Sequence, residues 1–182
     1  TARVPEILGT HYAIHYPGTQ LHSARNLKLT PLHARWLTHR AHFGQFAGWE
    51  RPLYFDCVEE PGLTFGKPAW FDQVAREVDY AHREAAIFDQ SSFGKIRVTG
   101  ADAEAFLNRV CSNDMARPPG RAIYSAMLNQ RGGYESDLTT LRLADEEYRL
   151  YVGSGAVRRD LAWLKRHRNA GEQVEIIDQT DD

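Results

Sequence analysis

Ile123-Tyr-Ser-Ala-Met-Leu-Asn-Gln-Arg-Gly-Gly-Tyr-Glu-Ser-Asp-Leu-Thr-Thr-Leu-Arg-Leu143 reads as strand, glycine turn, strand. Tyr124, Met127 and Leu128 belong to a β-prone run that stops at Asn129. Gln130 to Gly133 holds two adjacent glycines, which supply positive φ at little cost. Asp137 opens the second run, where Leu138, Thr139, Thr140, Leu141 and Leu143 favour an extended strand. A lone carboxylate just past the turn, with Tyr124 thirteen residues earlier on the partner strand, suggests that the two face one pocket. An Asp at a strand entry is more often a turn or capping residue. Chemistry alone does not make Asp137 a catalyst.

Outward from this hairpin the pattern alternates between helix and strand. Trp70 to Ala86 predicts a helix, with Val74, Val78, Ala81 and Ala85 recurring at helical spacing and charges opposite. Asp89 to Ser92 is turn chemistry, and Lys95 to Val98 a short strand. Asp102 is the expected N-cap of a second helix that turns Phe106, Leu107 and Val110 inward. After the hairpin come a strand from Tyr148 to Val152, a helix from Val157 to Arg168 and a last strand from Val174 to Ile177, with Gly171 stopping the helix. The order is helix, strand, helix, three strands, helix, strand. It predicts an α+β fold with a mainly antiparallel sheet and flanking helices.

Residues 1–69 differ from the rest, with six of the eight histidines, six prolines and little periodicity. Thr10 to Pro17 alternates weakly and predicts a short strand. Thr30-Pro31 predicts an N-cap and first turn for a helix from Leu32 to His42. Phe43 to Phe65 reads as packed loop, too rich in Trp and Phe to be a flexible linker. The domain expectation is a connecting segment over 1–69 and a folded domain over 70–182.

At 182 residues and a net charge of −2, neither a strong nucleic-acid field nor an anionic-membrane preference is expected. No run of 18 apolar residues predicts a membrane span. The start, Thr-Ala-Arg-Val-Pro, has no apolar signal region and no initiator Met, which suggests a processed chain or an excised piece. Cys57 and Cys111 are too few for a disulfide framework, so a reducing compartment is the default.

The common chemistries each meet a plainer reading. His11 with His15, and His39 with His42, have spacings that suit a helical metal pair, but no His-Glu-x-x-His is present and a structural or surface role is the expectation. Arg131-Gly132-Gly133 and the basic helix with Arg158, Arg159, Lys165, Arg166 and Arg168 read as a turn and a solvated face. Gly153-Ser154-Gly155 before a helix lacks the dinucleotide and Walker patterns. No nucleophile elbow is present, and Cys111 reads as core.

Several stretches together carry a resemblance: Asp89 to Gly100, Phe106-Leu107, Asn113-Asp114-Met115, Tyr124 with Met127-Leu128-Asn129, Gly132-Gly133 with Asp137-Leu138, and Arg159 to Leu164. In order and spacing they resemble the folate-binding aminomethyltransferase domain of the glycine cleavage T-protein. More closely they resemble the C-terminal folate domain of dimethylglycine and sarcosine dehydrogenases. Tyr12 to Pro17, Arg25-Asn26-Leu27, Thr30-Pro31-Leu32 and Gly48 to Pro52 are similar to the segment joining the flavin and folate halves of those enzymes.

The resemblance implies the first part of a T-protein-like fold that captures a one-carbon unit on tetrahydrofolate as 5,10-methylenetetrahydrofolate. It implies Asp137 as the catalytic carboxylate beside the folate amines, with Tyr124 its neighbour. Tyr151, Gly153 and Ser154 then flank the pterin as cofactor-binding residues, and no metal is implied. T-proteins usually place two adjacent acids after the glycines, whereas here Ser136 precedes Asp137. FAD is expected in a separate N-terminal half and not in this chain, making a flavin-containing dehydrogenase domain or subunit the implied partner beside folate. Neither nucleic acid nor membrane is implied. The family's folate domain continues past the strand at Val174 to Ile177, so this chain is expected to be too short for the full reaction. The alternative is a non-catalytic folate-binding or assembly module. Bacterial cytoplasm and mitochondrial matrix both suit a folate-using enzyme.

Overall fold

A computed structural model describes residues 3–56, 62 and 64–181. The chain divides into two compact units, Thr1–Ser92 and Phe93–Asp182.

The first unit holds α1 (Arg3–Gly9), β1 (Lys28–Leu29), α2 (His33–Thr38), β2 (His42–Phe46), β3 (Trp49–Tyr54) and α3 (Phe71–Arg83). The strand expected over Thr10 to Pro17 does not form. Thr10 N–H bonds to Glu6 O at 3.0 Å and Ala13 N–H to Thr10 O at 2.9 Å, so local turns satisfy this backbone. The helix expected from Leu32 to His42 is shorter. Thr30 does not cap it, because its hydroxyl donates to Asp89 Oδ2 at 2.7 Å, across 59 residues. Arg40 then adopts φ +54° and the chain enters β2.

The packed loop expected over Phe43 to Phe65 is instead largely a hairpin. β2 and β3 pair antiparallel, from Phe46 with Trp49 to His42 with Tyr54. Ala47 and Gly48 turn at φ +51° and +88°, the double positive φ that suits strand twist. Pro52 is tolerated because β1 pairs only with Trp49 and Glu50, leaving β3 paired on one side beyond them. Cys57 and Pro61, part of the same expectation, lie outside the described residues.

Glu50 anchors this hairpin. Its side chain has no exposure and receives Arg25 Nε at 2.9 Å, Arg25 Nη2 at 2.5 Å and the Asn26 N–H at 2.8 Å. The remaining reach of Arg25 goes to Phe43 O, 2.9 Å away. A buried carboxylate is tolerable only with such complete pairing. Helix α3 forms within the expected Trp70 to Ala86 span but ends three residues early, at Arg83, before the Ala85 of its apolar stripe. With Trp36, Leu53 and Phe55, that stripe lines a groove of about 1100 Å³.

The second unit holds β4 (Gly94–Thr99), α4 (Ala103–Val110), β5 (Ala122–Leu128), β6 (Tyr134–Ala144), β7 (Glu147–Val152), α5 (Val157–His167) and β8 (Glu175–Asp178). From α3 onward the element order is the one expected. The five strands form one sheet in the order β5-β6-β7-β4-β8, every pair antiparallel. The α+β antiparallel expectation holds. Strands alternate: Ile96 and Val98, Leu138 and Thr140, and Tyr148, Leu150 and Val152 are buried, while their neighbours face the other way. Phe106 and Leu107 of α4 and Leu164 of α5 are fully buried in the same core. Cys111 joins them, and burial pushes its thiol up to about 12.

Asp102 sits at the N-cap of α4 but makes no side-chain cap; its carboxylate accepts the Gln173 N–H at 2.8 Å and ties in the approach to β8. Gly100, two residues earlier, adopts φ +126°, and a Cβ there would lie 2.0 Å from Gln173 O. Gly100→Ala combines backbone strain with a backbone clash and should cost about 2–3 kcal/mol, read as a lower urea midpoint; an unchanged midpoint contradicts this packing.

The Glu50 carboxyl lies below its ordinary value of 4.5, chiefly because the Arg25 guanidinium donates to it, against opposing desolvation. Its contribution to stability is therefore present above pH 4.5 and lost as pH falls through the lowered folded value. Glu50→Gln should flatten this part of the acid limb in a stability-versus-pH series; parallel acid losses in variant and wild type would count against the ion pair.

Candidate functional site

The hairpin β5–β6 builds the site. Asn129 organises its turn: Asn129 Oδ1 accepts the N–H groups of Arg131 at 3.0 Å and Gly133 at 2.9 Å. Gly132 takes φ +75°, which glycine adopts without penalty. The Arg-Gly-Gly triplet is thus a turn, as read. Tyr134 pairs with Leu128 and Ser136 with Met127, leaving Glu135 as an extra residue on β6. This is a β-bulge. Glu135 Oε1 accepts the side-chain N–H of Asn129 at 2.8 Å.

The bulge resets the alternation. Ser136 points inward, where its hydroxyl donates to Asp160 Oδ2 of α5 at 2.8 Å; Asp160 is 1% exposed. Asp137 therefore points outward, and so does Tyr134, three residues before it. Without the extra residue, period-two alternation would place Tyr134 and Asp137 on opposite faces. Tyr124, one diagonal step away on β5, donates its hydroxyl to Asp137 Oδ2 at 3.1 Å.

The result is a carboxylate that accepts the Tyr124 hydroxyl, with a second phenol, Tyr134, beside it on the same face. The Tyr134 hydroxyl foremost, and Tyr124 with it, hold the Asp137 carboxyl below its ordinary value against modest desolvation. The reciprocal effect raises Tyr124, through its hydrogen bond to Asp137. Desolvation first, then Asp137, raises Tyr134. The group is ionised at neutral pH, accepts hydrogen bonds and presents negative charge to an amine. It stands on an open sheet face, with Tyr124 66% and Tyr134 63% exposed.

The remaining sequence candidates fall nearby. Tyr151 of β7 pairs with Thr139, on the Asp137 face. Leu138 pairs with Val152, so the next step brings Gly153 to the level of Asp137. Gly153 and Ser154 start the turn into α5, which the Ala156 N–H closes on Gly153 O at 2.8 Å. Tyr134 was missed because strict alternation counts it out. The available signal was the short spacing from Gly133 to Asp137 with Asn129 as a turn residue, which allows a bulge.

The other chemistries resolve into structure. His11 and His15 are exposed in the turns after α1, and His42 stacks on Tyr54. Among the described residues, no group of three or more His, Cys, Asp or Glu could hold a metal ion. Arg168 of the basic stretch donates to Val174 O at 3.0 Å, and Lys165 and Arg166 occupy the last turn of α5, where the helix dipole favours cations. No helix among the described residues is long and apolar enough to cross a membrane.

The antiparallel α+β unit has the fold of an aminomethyltransferase-like domain. The chain belongs to the GCVT N-terminal domain family, which matches it over residues 32–182. It is similar to 4-methylaminobutanoate oxidase (formaldehyde-forming) of Paenarthrobacter nicotinovorans, 36% identical over 98% of this chain and 22% of that protein. It is similar to the mitochondrial pyruvate dehydrogenase phosphatase regulatory subunit of Mus musculus, 32% identical over 98% and 21%. Human mitochondrial sarcosine dehydrogenase is 33% identical over 78% and 18%. The solved aminomethyltransferase T of the Bartonella henselae glycine cleavage system superposes with a TM-score of 0.67 at 29% identity, over 85% of this chain and 39% of that one. The chain thus spans about a fifth to two fifths of these proteins.

The site predicts its own titration. By carboxyl carbon NMR, Asp137 should titrate below 3.8, its ordinary value. Tyr124→Phe and Tyr134→Phe should each raise that midpoint; no movement in either variant would remove the phenols as the cause.

Proposed function

We propose that this chain provides part of a tetrahydrofolate site in an enzyme of the dimethylglycine and sarcosine dehydrogenase kind. The reaction is the capture of a one-carbon unit, as iminium or formaldehyde equivalent, to form 5,10-methylenetetrahydrofolate. One observation carries the reading: Asp137 is an ionised outward carboxylate that accepts the Tyr124 hydroxyl at 3.1 Å on an open sheet face, with Tyr134 beside it.

The residues present fit a tetrahydrofolate. Bound there, it supplies the two amine nitrogens that receive the carbon. Asp137 accepts a hydrogen bond from an amine N–H, orients that nitrogen and stabilises positive charge developing on it. Tyr124 holds the carboxylate in place by its hydrogen bond, and both phenols keep it ionised. Tyr151 offers an aromatic surface on the same face, and Gly153 with Ser154 lets backbone approach the ligand closely.

The domain reading belongs to this proposal. Residues 1–69 form the junction with a flavin-bearing half, and 70–182 the first part of the folate domain. Similarity to the oxidase over 98% of the chain, beyond the 32–182 family match, supports that junction. FAD and the flavin-containing dehydrogenase partner lie outside this chain, and a bacterial cytoplasm or mitochondrial matrix is the implied compartment.

A second reading is a non-catalytic folate-binding or assembly module. Its support is the comparable similarity to a protein named as a phosphatase regulatory subunit. Asp137→Asn separates the two. For an enzyme, methylenetetrahydrofolate formation by the whole protein should fall about 10²- to 10⁴-fold with the melting curve unchanged; undiminished formation in a folded variant would refute the assignment of Asp137.

A further inference from the structure

Tyr134 and Asp137 share a face although they lie three residues apart, and the two residues between them are both gripped by other parts of the unit. Glu135, the extra residue of the bulge, accepts the Asn129 side-chain N–H at 2.8 Å. Ser136 donates to Asp160 Oδ2 at 2.8 Å in the core. One grip comes from the hairpin turn and the other from α5.

The outer grip is built into the turn. Asn129 directs its carbonyl oxygen to the N–H groups of Arg131 and Gly133, and its amide N–H to Glu135. Closing the turn needs only the oxygen. The bond from the nitrogen is additional, and it ties the turn to the bulge. A Cβ at Gly133 would lie 2.7 Å from Asn129 Nδ2, so glycine there leaves the room that the amide occupies. The inner grip is buried. Asp160 is 1% exposed, and its other oxygen accepts Arg159 Nε at 3.1 Å. A carboxylate enclosed in this way holds its partners in one geometry. Arg159 in turn lies near enough to Tyr134 for its charge to oppose the desolvation that raises that phenol.

We propose that Asn129 and Asp160 are positioning residues that clamp the bulge at Glu135 and Ser136 and so hold Tyr134 beside Asp137. The clamp stands on its own geometry; its effect on catalysis rests on the folate reading above. When the clamp is opened, β6 is free to return to plain alternation, which carries Tyr134 to the face opposite Asp137. Asp137 then keeps Tyr124 of β5 and loses Tyr134 of β6, the two phenols that act on it.

The test compares variants that differ in one bond. Glu135→Gln and Glu135→Ala remove the same negative charge, but glutamine keeps an oxygen for Asn129. By carboxyl carbon NMR on the whole protein, Asp137 should titrate higher in Glu135→Ala than in Glu135→Gln, moving toward its ordinary 3.8. Asn129→Ala should raise it likewise. Ser136→Ala should also raise it, and Ser136→Thr, which keeps the hydroxyl, should restore it. Melting curves report that each variant is folded, and a purely structural role would lower them without moving Asp137. Methylenetetrahydrofolate formation should be about tenfold slower in Glu135→Ala than in Glu135→Gln, as for a displaced group. Equal Asp137 midpoints within the Glu135 pair overturn the role of Asn129, and equal midpoints within the Ser136 pair overturn that of Asp160. Midpoints that move with formation unchanged leave the clamp standing and overturn the catalytic assignment of Asp137 instead.

Discussion

The buried hydrogen bond from Ser136 to Asp160 is the constraint on which the site depends. It locks the parity of β6 against α5. A strand has two faces, and one inward anchor determines the direction of every neighbour up to the next bulge. With Ser136 held inward, Asp137 can only face out. The extra residue Glu135 then brings Tyr134 to the same side. Bulges re-aim side chains in this way, and here the re-aimed residue is the phenol that most lowers the Asp137 carboxyl. The Ser136 that departs from the paired acids of T-proteins thus has its own structural task.

The first unit meets a different constraint. Among the described residues its sheet has three strands, one of them two residues long, and its helices bury no residue fully. The fully buried Glu50 supplies order there by binding Arg25 and the Asn26 backbone. Such pairs specify geometry more than they add stability. Asp89 acts similarly, accepting from Thr30, the Trp36 indole at 3.0 Å and the Ser91 N–H at 3.0 Å. Both are long-range polar bonds between residues that look unremarkable in sequence.

Legibility followed the range of the forces involved. In the second unit the elements were readable because period and punctuation are local: Leu138, Thr140, Leu150 and Val152 alternate, and Gly171 and the Gly132-Gly133 turn interrupt. In the first unit, Thr30 is a good cap by type but is claimed by a distant carboxylate. Ala47 is a poor residue for positive φ and Pro52 a poor one for a strand, so the β2–β3 hairpin was hidden. Its evidence is cross-strand pairing, which no local window contains. Asp137 and Tyr124 were legible as neighbours because hairpin register relates them. Tyr134 and Asp160 were not, since one needs the bulge and the other the packing of α5 on β6.

The sequence by itself determined the α+β class, the order of elements from α3 onward, the hairpin and the Asp137–Tyr124 pair. Hydrophobic period, turn residues and short-range register suffice for those. Only the tertiary structure decided the face on which Tyr134 joins Asp137, the openness of that face and the bond from Ser136 to Asp160. Each depends on which strands lie side by side and on where one extra residue is accommodated. Those outcomes are set by packing α5 against the hairpin and by pairing β7 between β6 and β4, between segments far apart in the chain.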